Sequence, residues 1–137
     1  MSCAFPKKWS LFFHQSRTLR DMTILEKQQF FSDCLSDFIR ALRMLGMEVT
    51  LGEAWRSPET CELYAKDGRG IANSNHTNRL AIDLNLFRGS DLAPTSDYMA
   101  AGAIWKHYSK PGAICVWGGD FKSRDYGHFS IEHNGVQ

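Results

Sequence analysis

The sequence predicts an α+β fold, a small and mostly antiparallel sheet packed on helices. A stretch after Thr23 repeats apolar residues at helical spacing, and a stretch from Leu80 alternates strictly between apolar and polar or small residues. Two short β-rich segments near the end of the chain are separated by a turn-rich run. At 137 residues a single domain is expected, long enough to bury a core without disulfides. Hydrophobic residues make up 43% and charged residues 23% of the chain, the balance of a folded globular protein.

Residues 1–22 form a basic, aromatic arm, in which Lys7, Lys8, Arg17 and Arg20 are interleaved with Trp9, Phe12 and Phe13. Its two readings are a first element with a solvated face and a contact with an anionic envelope surface. The first firm element follows Thr23-Ile24-Leu25-Glu26, a capping-box pattern. Phe31, Leu35, Phe38, Leu42 and Leu45 then recur at steps of three and four until Gly46 offers a left-handed stop. Met47 to Trp55 is expected to be a strand leading to Arg56. Ser57 as cap and Pro58 at the first helical position open a second helix, which runs to about Lys66. Asp67-Gly68-Arg69-Gly70 ends it.

From Leu80, the residues Leu80, Ile82, Leu84 and Leu86 face one way, and Ala81, Asp83, Asn85 and Phe87 the other. A further helix is expected over Ser96 to Tyr108. Strands at Ala113 to Trp117 and Tyr126 to Glu132 flank the turn-rich GGDFKSRD.

Composition removes several partner classes. A net charge of +1 gives no field that would make nucleic acid the default partner, and a metal-dependent nuclease would want more basic residues around its site. Trp9 to Phe13 is too short for a signal-peptide core, and no segment approaches a membrane span, so no stable membrane insertion is expected. Cys3, Cys34, Cys61 and Cys115 are scattered without a CxxC pair, which suits reduced, structural thiols.

The chemistry-bearing residues are few. Asp83 interrupts an apolar strand on its non-aliphatic face, and His128 shares a face with Ser130 in the last strand. His76 lies seven residues before Asp83, at the opposite strand parity, so the two converge only if Thr77-Asn78-Arg79 bends the chain. Two imidazoles and one carboxylate suit zinc, with a fourth position left open on the open face of the sheet. Asp125, three residues before His128, is a candidate general base. Arg56 is a candidate for stabilising an oxyanion. Singly, each has an ordinary reading: a hydrogen-bonded core histidine, an internal anchor for a loop, a solvated carboxylate, a surface ion-pair partner. His133 reads as a surface residue, His14 and His107 have no partners at informative spacing, and Trp117 either lines the cleft or belongs to the core.

Ser74-Asn75-His76, Ala81-Ile82-Asp83 and Asp125-Tyr126-Gly127-His128 resemble the SxHxxGxAxD and (D/E)xxH signatures of the zinc D-Ala-D-Ala carboxypeptidase and L-alanyl-D-glutamate endopeptidase family, bacteriophage endolysins above all. The likeness runs from Val49 to Ile131 and includes VTLGEAWR and VWGGDF. Arg79 departs from it, standing where the commoner pattern has glycine. The resemblance implies that His76, Asp83 and His128 bind zinc, that Asp125 is the catalytic acid/base, that Arg56 stabilises the oxyanion and that Ser74 lies near the substrate. It further implies a single peptidase domain acting on the peptide stem of bacterial peptidoglycan, first between L-Ala and D-Glu and otherwise before a terminal D-Ala. A monomer made in the host cytoplasm, and released through a separate pore to reach the wall, would follow. The rival is a non-catalytic zinc-binding recognition module, which would not need a general base at the position of Asp125.

Overall fold

The computed structural model describes residues 21–71 and 73–137. The basic arm up to Arg20, with Cys3 and His14, lies outside the described residues. Helix α1 (Ile24–Met44) is followed by β1 (Glu48–Leu51), α2 (Pro58–Lys66), β2 (Ala81–Arg88), β3 (Asp91–Leu92), α3 (Thr95–His107), β4 (Cys115–Trp117) and β5 (His128–Ile131). The strands form one antiparallel sheet in the order β1-β2-β5-β4, with β3 also paired to β2. The α+β expectation holds.

Helices α1 and α2 start where the sequence says. The Thr23 hydroxyl accepts from the Glu26 amide while the Glu26 carboxylate accepts from the Thr23 amide at 2.8 Å, a complete capping box. Gly46, at φ 82°, ends the turn after α1. Ser57 caps α2 with Pro58 just inside it. Helix α3 begins one residue before the expected start and ends one before the expected end.

The strands are shorter than expected: β4 starts at Cys115 rather than Ala113, and β5 spans His128–Ile131 rather than Tyr126 to Glu132. The regular first strand ends at Leu51 rather than reaching Trp55, because Gly52 and Glu53 together face Asp83 in a bulge: the Gly52 amide bonds to the Asp83 carbonyl at 2.7 Å and the Asp83 amide to the Glu53 carbonyl at 2.9 Å. A β-carbon on Gly52 would lie 3.0 Å from the Asp83 carbonyl oxygen, so the absence of a side chain permits this approach. A further difference is β3, a two-residue strand returned onto β2 by a turn in which Gly89 adopts φ 64°.

The aliphatic row Leu80, Ile82, Leu84 and Leu86 is buried, and Phe31, Cys34, Phe38 and Leu42 of α1 belong to the same core. Trp105 of α3 sits among Phe31, Phe38 and Phe129, with ring centroids 5.2–6.1 Å away. Its indole N–H donates to the Ser130 carbonyl at 2.9 Å, so the tryptophan is buried without an orphaned donor. Trp117 belongs to the core as well, its indole donating to the Tyr126 carbonyl at 2.8 Å.

Gly102 in α3 lies directly under the Trp117 ring, where a β-carbon would fall inside the van der Waals shell of the indole. Alanine there gains about 1 kcal/mol of helix propensity. Overpacking against a buried, hydrogen-bonded ring costs roughly 1–3 kcal/mol, so Gly102→Ala is expected to lower the urea midpoint, measurable by equilibrium denaturation.

Candidate metal centre

The pairing of β2 with β5 sets Asp83 directly opposite His128, and the alternation of both strands puts their side chains on one face. His76 reaches that face from a turn. The Thr77 amide bonds to the Ser74 carbonyl, the Arg79 amide to the His76 carbonyl at 3.3 Å and the Leu80 amide to the Asn75 carbonyl at 2.9 Å. Arg79 occupies the left-handed region at φ 56°. This is the bend that the opposite parity of His76 and Asp83 requires, and it falls within Thr77-Asn78-Arg79. For a non-glycine residue that conformation costs on the order of 1–2 kcal/mol.

Asn75 is fully buried and ties the turn down. Its side-chain amide donates to the carbonyls of Ile131 at 3.0 Å and Val136 at 2.7 Å, and its oxygen accepts from the Asn78 side chain at 3.2 Å. The residue beside His76 is thereby fastened to the end of the strand that carries His128.

One ligand atom from each of His76, Asp83 and His128 lies within 4.8 Å of the others. Oδ1 of Asp83 is 3.3 Å from His76 Nε2 and 3.5 Å from His128 Nδ1. Bonds of ~2.0–2.2 Å at tetrahedral angles put neighbouring ligand atoms about 3.3–3.6 Å apart. Both histidines are buried, and Asp83 Oδ1, His76 Nδ1 and His128 Nε2 are buried without a protein hydrogen-bond partner. A carboxylate oxygen enclosed between two imidazoles and otherwise unsatisfied is costly in a polar cluster with no further function. A cation there would satisfy it, so the residues fit a metal. Burial works against ionising Asp83, but the imidazoles of His128 and His76 outweigh it and hold the carboxyl well below the usual carboxylate range.

Arg56 and Ser74 join the site from one side. The Arg56 amide donates to the His76 carbonyl at 3.4 Å, and its guanidinium is held by Glu53 through an Nε–Oε1 bond of 2.6 Å and a second, NH2 contact to the same oxygen. It also reaches Ser74 Oγ at 3.5 Å and covers the Tyr64 ring. Ser74 Oγ in turn accepts from the His76 amide at 3.3 Å. Asp125 stands apart from the three ligand candidates: it is exposed, its amide bonds to the Gly118 carbonyl at 2.9 Å and its carbonyl accepts from the His128 amide at 3.2 Å. Gly118 lets this loop approach, since a β-carbon there would lie 2.8 Å from His128 Cβ.

Two neighbours were not singled out from sequence. Glu53 lies 3.8 Å from His76 Nδ1 as well as on Arg56, and its only signal was an acid three residues before the arginine. Phe121, inside the turn-rich run, lays its ring 5.4 Å from that of His128. His133 is partly buried rather than on the surface, with Nδ1 3.2 Å from Lys27 Nζ, and burial together with that lysine lowers its pKa. His107 is exposed at the end of α3. Cys34, Cys61 and Cys115 are buried, and burial pushes the Cys115 thiol up to about 12.

A family model described as D-alanyl-D-alanine carboxypeptidase matches residues 67–131, the segment that holds His76, Asp83, Asp125 and His128. Among solved structures the chain is similar to the L-Ala D-Glu endopeptidase ChiX of Serratia marcescens, with a TM-score of 0.59 and 18% identity over 86% of this chain and 94% of that one. No curated protein sequence matches. The chain is thus similar to that family model over residues 67–131 and to an L-Ala D-Glu endopeptidase in its fold.

Proposed function

We propose that the protein is a zinc peptidase that hydrolyses the peptide stem of bacterial peptidoglycan, between L-Ala and D-Glu. The observation that carries this reading is the His76–Asp83–His128 cluster, with its unsatisfied Asp83 oxygen 3.3 and 3.5 Å from the two imidazole nitrogens. Zinc, when bound, would polarise the scissile carbonyl and make water acidic enough to be a nucleophile near neutral pH. Asp125 takes the proton from the attacking water and returns it to the leaving amine, so one carboxylate serves both halves of the reaction. Arg56, oriented by Glu53 and Ser74, offers its charge to the carbonyl oxygen as negative charge develops there.

The fold likeness to an L-Ala D-Glu endopeptidase supports the endopeptidase cut, and the description of the matching family model supports removal of a terminal D-Ala as the second reading. The endolysin resemblance of the motifs supports a role in phage-driven host lysis, with synthesis in the host cytoplasm and action on the wall after release through a pore. Among the described residues no helix is long and apolar enough to cross a membrane.

Mass spectrometry of isolated peptidoglycan digested with zinc-loaded protein tests the assignment. New L-Ala C-termini are expected. Loss of single D-Ala residues would establish the carboxypeptidase instead, and no release of peptide would leave only the non-catalytic zinc-binding module.

A further inference from the structure

We propose that Arg79, laid over Trp55, binds a free carboxylate of the substrate beside the scissile bond, so that the enzyme prefers anionic stem peptides to amidated ones. This rests on the peptidase reading above and concerns the substrate class of the same site. Three observations lead to it.

Arg79 and Trp55 both flank His76. The Arg79 amide donates to the His76 carbonyl at 3.3 Å, and the same oxygen accepts from Arg56, the residue after Trp55, at 3.4 Å. The pair therefore stands beside the main chain of His76, on the same carbonyl as Arg56.

The guanidinium is displayed and unspent. Its carbon lies 5.1 Å from the centroid of the Trp55 ring, both side chains are exposed, and no carboxylate among the described residues forms an ion pair with it. Arg56, by contrast, is committed to Glu53, and Arg69 to Asp67. An indole occupies one face of a guanidinium and restricts its motion, but leaves the in-plane N–H groups free to meet a carboxylate as a two-pronged fork.

The backbone makes arginine an expensive choice. At φ 56° a glycine would carry no β-carbon strain. Strain held at the edge of a ligand site points to what the side chain does there. A glutamate in a peptide retains one carboxyl outside the chain bonds, so the residue that follows the scissile bond in an L-Ala–D-Glu substrate brings the anion this fork would take.

The test compares two synthetic stem peptides that differ only in whether that carboxylate is free or amidated, assayed with zinc-loaded wild-type protein, Arg79→Gly and Arg79→Lys. The wild type is expected to show a KM at least about tenfold lower for the free carboxylate, the scale of one charged hydrogen-bond pair. In Arg79→Gly that ratio should collapse toward unity through KM, with zinc content retained and the melting temperature unchanged or raised. Arg79→Lys should keep part of the preference. Titration of the two peptides against each protein, followed by NMR, supplies an arm independent of turnover. If wild type cleaves neither peptide, the peptidase reading fails, while an Arg79-dependent preference in binding still supports the anion site. An undiminished preference in Arg79→Gly overturns the proposal, and so does a fall in its melting temperature or zinc content, which would make Arg79 a structural residue of the turn.

Discussion

Asp83→Ala protein is expected to purify without stoichiometric zinc and to release no measurable peptide from peptidoglycan. Asp83 is the shared member of the cluster, since its Oδ1 faces both His76 Nε2 and His128 Nδ1, at 3.3 and 3.5 Å. Its loss removes the anionic member of the set and leaves two imidazoles. Changes to residues that merely orient a ligand already cost about 10–100-fold in metal affinity, so loss of a ligand should cost more than about a thousandfold. Asp83→Asn keeps the shape but not the charge, and is expected to bind zinc weakly. Metal analysis after dialysis and a chelator competition measure both variants. Affinity in the wild type should also fall as the medium is acidified, because imidazole must shed its proton to bind metal. Asp83, already held below the ordinary carboxylate range, stays ionised over that window and does not set its limit. Full zinc occupancy in Asp83→Ala would remove the metal centre from its assigned place.

The convergence of Asp83 and His128 was legible because strand periodicity is strict where it matters. A carboxylate on the small face of Ala81–Phe87 and a histidine beside a serine in the last strand both stand out against an apolar background, and the register Asp83↔His128 joins them. His76 was legible only by its motif. Alternation alone sets it on the wrong face, and the left-handed Arg79 that corrects this does not announce itself, because nothing in an arginine predicts a positive φ. Glu53 was hidden for a related reason. In a regular strand it would be one more exposed acid before Arg56, whereas in the bulge opposite Asp83 it lies 3.8 Å from His76 Nδ1. The end of β1 and the β3 return were likewise set by a glycine-permitted bulge and a glycine-permitted turn, whose geometry depends on the partner strand and not on local spacing.

Asp125→Ala is expected to keep its zinc and its fold while kcat falls by about 10²–10⁴, the range that a positioned acid–base group contributes. The separation between binding and turnover follows from how the residue is held. The main chain, not the carboxylate, makes the bonds to Gly118 and His128, and these survive removal of the side chain. The side chain itself is exposed, so its loss should alter stability by no more than roughly 0.5 kcal/mol. Asp125→Asn is the stricter variant, because it preserves volume and polarity and removes only the ability to take up and return the proton. A loss of kcat in both variants, with KM little changed and zinc content equal to wild type, would set Asp125 apart from the ligands as the group that moves protons. Full turnover in Asp125→Ala would end that role. Zinc loss in Asp125→Asn would instead show that the loop carboxylate reaches the metal, and the open position of the site would then have to be found on another side of the cluster.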